Sequence, residues 1–296
     1  MPDRAGGVFR PLTWHAGTRS GFFEATPPGQ PGLVMFLNAG DPPLNVLRDV
    51  VHMLDDCQVD CLELAVPFPD SPTDGPVIQR SARRALEHGV GLDEVLNFMG
   101  EIRPGLKHLQ VVLLADWSYT VKPVGLADFL TRVQHSGSDG LLVHGLPPRS
   151  RPGYYEVADR LGLPIVTTCY ANSAVSVLAE AGRHASAYVY LVSRYGRTGT
   201  GPATDFSALS NVLATLRTVT QARIAVGFGV ATRADVAAMH AVGADAVIVG
   251  SAAVSRVESA LAGDRNVVDV LHEFLGGLRP RLSIPSGRAS TSCTIS

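Results

Sequence analysis

The sequence predicts an α/β protein, a single (β/α)8 TIM barrel, and three observations carry that expectation. Short apolar runs alternate with stretches of helical spacing along most of the chain. The alternation repeats eight times, and a barrel of this kind needs roughly 250 residues. The apolar runs are near-continuous, as strands covered on both faces require. A doubly wound open sheet is the competing architecture. The count of eight, and the lack of a Gly-rich dinucleotide fingerprint after the first run, favour the barrel.

Residues 1–31 read as an irregular N-terminal arm, rich in Gly, Pro, Arg and Thr, with one hint of a helical turn at Phe22-Phe23-Glu24-Ala25. The barrel is expected over residues 32–279. Its first strand is Leu33 to Leu37, followed by a helix over 45–56 in which Val46, Leu47, Val50, Val51 and Leu54 share a face. The second strand runs into Leu62-Glu63-Leu64-Ala65-Val66 and breaks at Pro67, Pro69 and Pro72, before helical patterns at 77–88 and 92–102. Strands at 111–114, 140–143, 164–168, 187–192, 224–227 and 246–249 complete the set. Helices are expected at 126–135, 154–161, 175–181, 206–219, 233–241 and 268–278. The Ser-rich tail, residues 280–296, is expected to be disordered.

Composition narrows the function. The chain has 296 residues, 46% of them hydrophobic, which suffices for a full core. A net charge of −2 gives no electrostatic footprint for nucleic acid or an anionic membrane. No run approaches the ~18 apolar residues of a membrane span, so a soluble, cytoplasmic protein is expected. Cys57, Cys61, Cys169 and Cys293 have neither zinc-site spacing nor disulfide-scaffold density and read as free thiols. There are only two lysines, Lys107 and Lys122, and neither ends a strand, which disfavours Schiff-base chemistry.

Barrels of this type work at the C-terminal ends of their strands. Glu63 lies within the second strand, and Asp74 lies on the loop that follows. Two carboxylates so placed can do acid–base work; a strand Glu meeting an Arg, or an Asp shaping a turn before Gly75, would need no chemistry at all. A second constellation follows the last three strands: Gly196-Arg197-Thr198-Gly199-Thr200-Gly201, Gly227-Phe228-Gly229 and Gly250-Ser251. Glycines let backbone N–H groups approach an anion, and Ser251 opens a helix whose N-terminus favours negative charge. A phosphate-bearing small molecule is the expected ligand, with no cofactor. Asp116 with Trp117 and His144 follow the third and fourth strands, and Thr167 lies on the fifth. Glu63, Asp116 and His144 leave open a metal-assisted aldolase or epimerase. A non-catalytic barrel serving another enzyme is the other class.

The stretch from Leu62 to Asp70, continued by Thr73-Asp74-Gly75-Pro76-Val77-Ile78-Gln79, closely resembles the signature of the tryptophan synthase α subunit family. Phe36 with Gly40-Asp41-Pro42, Tyr190 to Arg194, Thr198-Gly199, Gly227-Phe228-Gly229 and Gly250-Ser251 extend the similarity over nearly the whole barrel. The resemblance implies a lyase that splits indole-3-glycerol phosphate by retro-aldol cleavage into indole and glyceraldehyde 3-phosphate. It implies that Glu63 protonates the indole ring carbon and then serves as a base. Asp74 would support the ring N–H, and Tyr190 would line the site. Phe36, Thr198, Gly199, Gly227, Phe228, Gly229, Gly250 and Ser251 would hold the substrate and its phosphate. The chain departs from the family at Asn38, Asp116, Trp117, His144 and Thr167, which makes the expected pocket wall more polar. The arm replaces the family's N-terminal helix, and Ser71-Pro72-Thr73 replaces the loop segment that meets a β subunit. Two partnerships therefore stay open: action with a tryptophan synthase β subunit, or stand-alone.

Overall fold

The computed structural model describes residues 21–193, 206–227 and 229–279. Eight parallel strands form the centre: β1 (Gly32–Asn38), β2 (Cys61–Ala65), β3 (Gln110–Asp116), β4 (Gly140–His144), β5 (Thr167–Tyr170), β6 (Tyr188–Val192), β7 (Arg223–Gly227) and β8 (Ala246–Val249). Their order is β4-β3-β2-β1-β8-β7-β6-β5. The ring closes between β4 and β5 through one bridge, Leu141 to Ile165. There Leu141 N donates to Pro164 O and Val166 N to Leu141 O, each at 2.9 Å. The fifth strand thus starts later than its apolar pattern predicts: Pro164 has no N–H to give to a ladder, and Ile165 N donates to the Ser186 hydroxyl at 2.9 Å.

Eleven helices surround the strands among the described residues: α1 (Leu44–Asp56), α2 (Pro76–Glu87), α3 (Leu92–Ile102), α4 (Lys122–Val124), α5 (Leu126–His135), α6 (Arg151–Leu161), α7 (Val175–His184), α8 (Phe206–Arg217), α9 (Arg233–Ala241), α10 (Ser251–Ala262) and α11 (Val267–Leu278). Local chemistry sets their ends. Pro76 sits in the first turn of α2, where its missing N–H costs nothing. Thr232 and Asp235 cap α9 reciprocally. Asn266 accepts from Val268 N at 2.8 Å to start α11. None of these helices is long and apolar enough to cross a membrane.

Strand alternation divides the core in two. Leu33, Met35, Leu37, Leu62, Leu64, Val111 and Leu113 point outward and pack under the helices. Val34, Cys61, Val112, Leu142, Val166, Tyr188, Ala225, Ala246 and Ile248 point inward and fill the barrel. Part of the arm belongs to this inner core. Phe22 and Phe23 are buried, with ring centroids 5.5 and 5.3 Å from Tyr188, and they plug the N-terminal end. Asp60 fastens that end: Leu33 N, Thr26 Oγ1 and Arg279 Nη2 all donate to its carboxylate, at 2.8, 2.6 and 2.6 Å.

Candidate active site

With the N-terminal end plugged, the barrel opens at the C-terminal ends of its strands into a cavity of about 320 Å³, within the range of small-molecule pockets. Period-2 alternation aims Phe36, Glu63, Leu114, Leu142, His144, Thr168 and Tyr190 into it, the β2–α2 loop adds Asp74, and the start of α10 adds Gly250-Ser251.

Glu63 is almost fully buried, at 1% exposure. Tyr188 Oη donates to its Oε1 at 2.7 Å, and Oε2 has no hydrogen-bond partner among the described residues. Burial raises its carboxyl to about 7, against the smaller opposing pull of the Tyr188 hydrogen bond. A carboxyl that titrates near neutrality beside a cavity can give a proton and take one back.

Asp74 lies on the loop between β2 and α2 and is partly buried. Burial raises its carboxyl above the ordinary aspartate value, while a Ser71 hydrogen bond and the charge of His144 work in the opposite direction. The loop is held at three points. Gln79 Nε2 donates to Ser71 O at 2.7 Å, Ser71 and Thr73 hydroxyls lie 3.4 Å apart, and Thr73 Oγ1 is hydrogen-bonded to His144 Nε2 at 3.2 Å. The His144 ring stacks on Phe68, which itself stacks on Tyr119. Asn38 does not line this cavity; it borders a smaller one beside it, shared with Phe36, Asp74 and His144, and donates to Ser81 Oγ at 2.9 Å.

On the other side, Tyr190 lies across Gly227. A Cβ at Gly227 would meet Tyr190 Oη at 2.6 Å, so only glycine leaves room for the phenol. Burial, with the neighbouring Glu63 and Asp74 charges, raises the Tyr190 phenol well above its usual value and keeps it a donor. The first turn of α10 reaches the cavity at Gly250 and Ser251 with no side-chain cap among the described residues, which leaves backbone N–H groups open to an anion.

A model of the family described as tryptophan synthase alpha chain matches residues 22–281. This chain belongs to the tryptophan synthase alpha chain family. It is 37% identical over 232 residues to the tryptophan synthase alpha chain of Chromobacterium violaceum, covering 78% of this chain and 87% of that one. The alpha chain of Acaryochloris marina is 34% identical over 229 residues, with 77% and 85% covered. Among solved structures, the alpha subunit of Legionella pneumophila superposes with a TM-score of 0.75 at 26% identity, covering 84% of this chain and 92% of that one. A chain of the tryptophan synthase complex of Pyrococcus furiosus, which contains two alpha and two beta subunits, gives 0.73 at 29% identity, with 83% and 97% covered.

Set beside the expectations for a tryptophan synthase alpha chain, the structure gathers Glu63, Asp74, Tyr190, Phe36, Gly250, Ser251 and His144 around one cavity. Gly227 supports it from below Tyr190, and Gly229 takes a φ of +86° with open space around it. Thr198, Gly199 and Phe228 lie outside the described residues. Besides Asn38, three of the expected wall residues are elsewhere. Thr167 turns outward and donates to Ala181 O of α7 at 2.8 Å; its neighbour Thr168, in register with Tyr190, lines the cavity. The reason is the two-residue period: one position decides the face. Asp116 accepts from Ser118 N and Tyr119 N at 2.7 and 2.9 Å, capping the π-helical turn Trp117–Val121. Trp117 packs against the outer core. Among the described residues no three His, Cys, Asp or Glu side chains gather as a metal-ligand set, and Asp116 is committed to its cap. Sequence reasoning missed Tyr188, and of the two threonines on the fifth strand it put Thr167 in the pocket in place of Thr168. The signal was present, since Tyr188 stands two residues before Tyr190 on the same strand face.

Proposed function

We propose that this chain is a carbon–carbon lyase that cleaves indole-3-glycerol phosphate to indole and glyceraldehyde 3-phosphate. The observation that carries the reading is Glu63, a buried carboxyl titrating at about 7, with one oxygen that has no partner among the described residues and lies beside the cavity. At neutral pH it has a proton to give. That proton goes to the ring carbon bearing the glycerol chain, while Asp74, as a carboxylate, accepts a hydrogen bond from the ring N–H and stabilises the charge that develops there. The Glu63 carboxylate then takes the proton of the adjacent side-chain hydroxyl. The carbon–carbon bond breaks, its electron pair returns to the ring, the aldehyde forms, and Glu63 is protonated again. Tyr190 lines the site beside both carboxyls, and the open N–H groups at Gly250-Ser251 hold the phosphate.

We further propose that the chain does this without a β subunit. The support is the Asp74 loop, which the chain's own Thr73–His144 and Gln79–Ser71 contacts hold against the cavity, with Pro69 and Pro72 limiting its freedom. The test is a steady-state assay of indole release by the purified chain, alone and with a tryptophan synthase β subunit. We expect turnover alone, with stimulation below the about 5–150-fold of a typical allosteric coupling. Release only in the presence of the β subunit would replace the stand-alone reading with an ordinary α-subunit role. No indole under either condition would overturn the lyase assignment.

A further inference from the structure

We infer that the ring end of this cavity is built for an indole carrying a hydroxyl on its benzenoid ring, with Thr168 and His144 as the residues that determine that specificity. This rests on the lyase reading and deepens it by naming the substrate class.

The barrel's own order orients the ligand. β4 lies four strands from β8 in either direction around the ring, so the wall formed by β4 and its neighbours faces the phosphate end at Gly250-Ser251. An elongated ligand anchored by its phosphate at α10 therefore presents its ring to β3, β4 and β5. Leu114 and Leu142 supply an apolar surface there, as an aromatic ring requires. Thr168 and Tyr170 of β5 and His144 of β4 interrupt it.

Thr168 is on the inward face of β5, exposed to the cavity, and its hydroxyl has no hydrogen-bond partner among the described residues. This contrasts with Thr167, whose hydroxyl is bonded to α7. His144 is fixed by Thr73 at Nε2 and by stacking on Phe68, and it carries a second ring nitrogen. An unsubstituted ring that fills this end displaces water from Thr168 and returns no hydrogen bond. A phenolic hydroxyl is both donor and acceptor and can engage either residue. An anionic substituent would instead meet Asp74, which lines the same cavity.

The experiment pairs direct binding with turnover. Calorimetry measures indole and each indole monohydroxylated on a benzenoid carbon against the wild-type chain, Thr168→Val and His144→Phe. The corresponding glycerol phosphates are assayed for kcat/KM. We expect one hydroxylated isomer to bind about tenfold tighter than indole, the effect of one net hydrogen bond, with a similar preference in kcat/KM. Thr168→Val, nearly isosteric, should abolish most of that preference. The inference is overturned if no isomer binds better than indole, or if the preference survives both substitutions. The two readings fail separately. Cleavage of plain indole-3-glycerol phosphate with no isomer preferred sinks this inference and leaves the lyase. Selective binding that Thr168→Val removes, without cleavage of any substrate, sinks the lyase and supports the selective ring end.

Discussion

Tyr188 Oη donates a 2.7 Å hydrogen bond to Oε1 of Glu63 across the inside of the barrel, 125 residues away in sequence. One carboxyl oxygen is thereby fixed, and the other has no partner among the described residues. Burial dominates this carboxyl's proton affinity, and the tyrosine opposes it.

Replacing Glu63 by Gln keeps the shape and an acceptor for Tyr188 but removes the exchangeable proton. Turnover should fall by about 10²-fold or more. The same variant should gain stability at alkaline pH. The folded-state value of Glu63 is raised, to about 7, so its contribution is most favourable below the unfolded value and is lost as pH rises through about 7. At pH 8 the wild type holds an ionised buried carboxylate that the variant lacks. Thermal melts at pH 5 and pH 8 check this. An unchanged difference between wild type and variant at the two pH values would show that Glu63 does not titrate in this window.

Tyr188→Phe removes the one contact that lowers the Glu63 value, leaving burial alone. Glu63 should then hold its proton to higher pH, and the alkaline limb of kcat/KM should move upward. The lost hydrogen bond to the carboxyl should cost about 1–3 kcal/mol of stability. An alkaline limb that stays in place would mean that another group governs it.

The wild-type pH profile should be bell-shaped. In the proposed mechanism Glu63 starts protonated, so activity should decline as pH rises through about 7. Asp74 must be ionised to accept the ring N–H, and burial raises its value, so the acid limb should lie above the ordinary aspartate range. The two limbs report the interacting pair, not isolated residues. Asp74→Asn should abolish the acid limb and lower kcat/KM.

Gly227→Ala places a methyl 2.6 Å from the Tyr190 hydroxyl, well inside contact distance. The phenol must move, with about 1–3 kcal/mol of overpacking. kcat/KM should drop while the far-UV circular dichroism stays native. Wild-type kinetics in this variant would show that the position of Tyr190 does not matter.

Arg84 reaches from α2 to Asp41 with two hydrogen bonds, at 2.9 and 2.7 Å, and to Glu258 of α10 at 2.8 Å. Asp41 is fully buried. Arg84→Ala leaves that carboxylate unpaired and should cost about 3–5 kcal/mol, visible as a large fall in Tm. Asp41→Asn in the same chain should recover part of the loss. If the double variant is no more stable than the single one, the buried charge is not the cause.

How much of this was legible in the sequence varies residue by residue. The eight-unit repeat was plain because parallel strands buried on both faces cannot hide their apolar runs. Glu63 and Asp74 stood out because a charged residue inside such a run, and an acid among prolines just after it, interrupt the pattern. Gly250-Ser251 was readable as a helix start. Thr167 and Thr168 were not separable, since two adjacent threonines fit either phase of a period-2 strand until pairing with Tyr190 sets the face.

Chain order and local pattern by themselves determined the barrel, the two carboxyls and the end of the strands at which they meet the cavity, because alternation and strand polarity are local properties. Tertiary structure alone decided that Tyr188 meets Glu63, that Asp116 caps a turn instead of lining the cavity, that Phe22 and Phe23 seal the opposite end, and that His144 holds the Asp74 loop. Each of these depends on ring closure bringing distant strands and loops within contact range, and on burial, which turns an ordinary glutamate into an acid near neutrality only once water has been excluded around it.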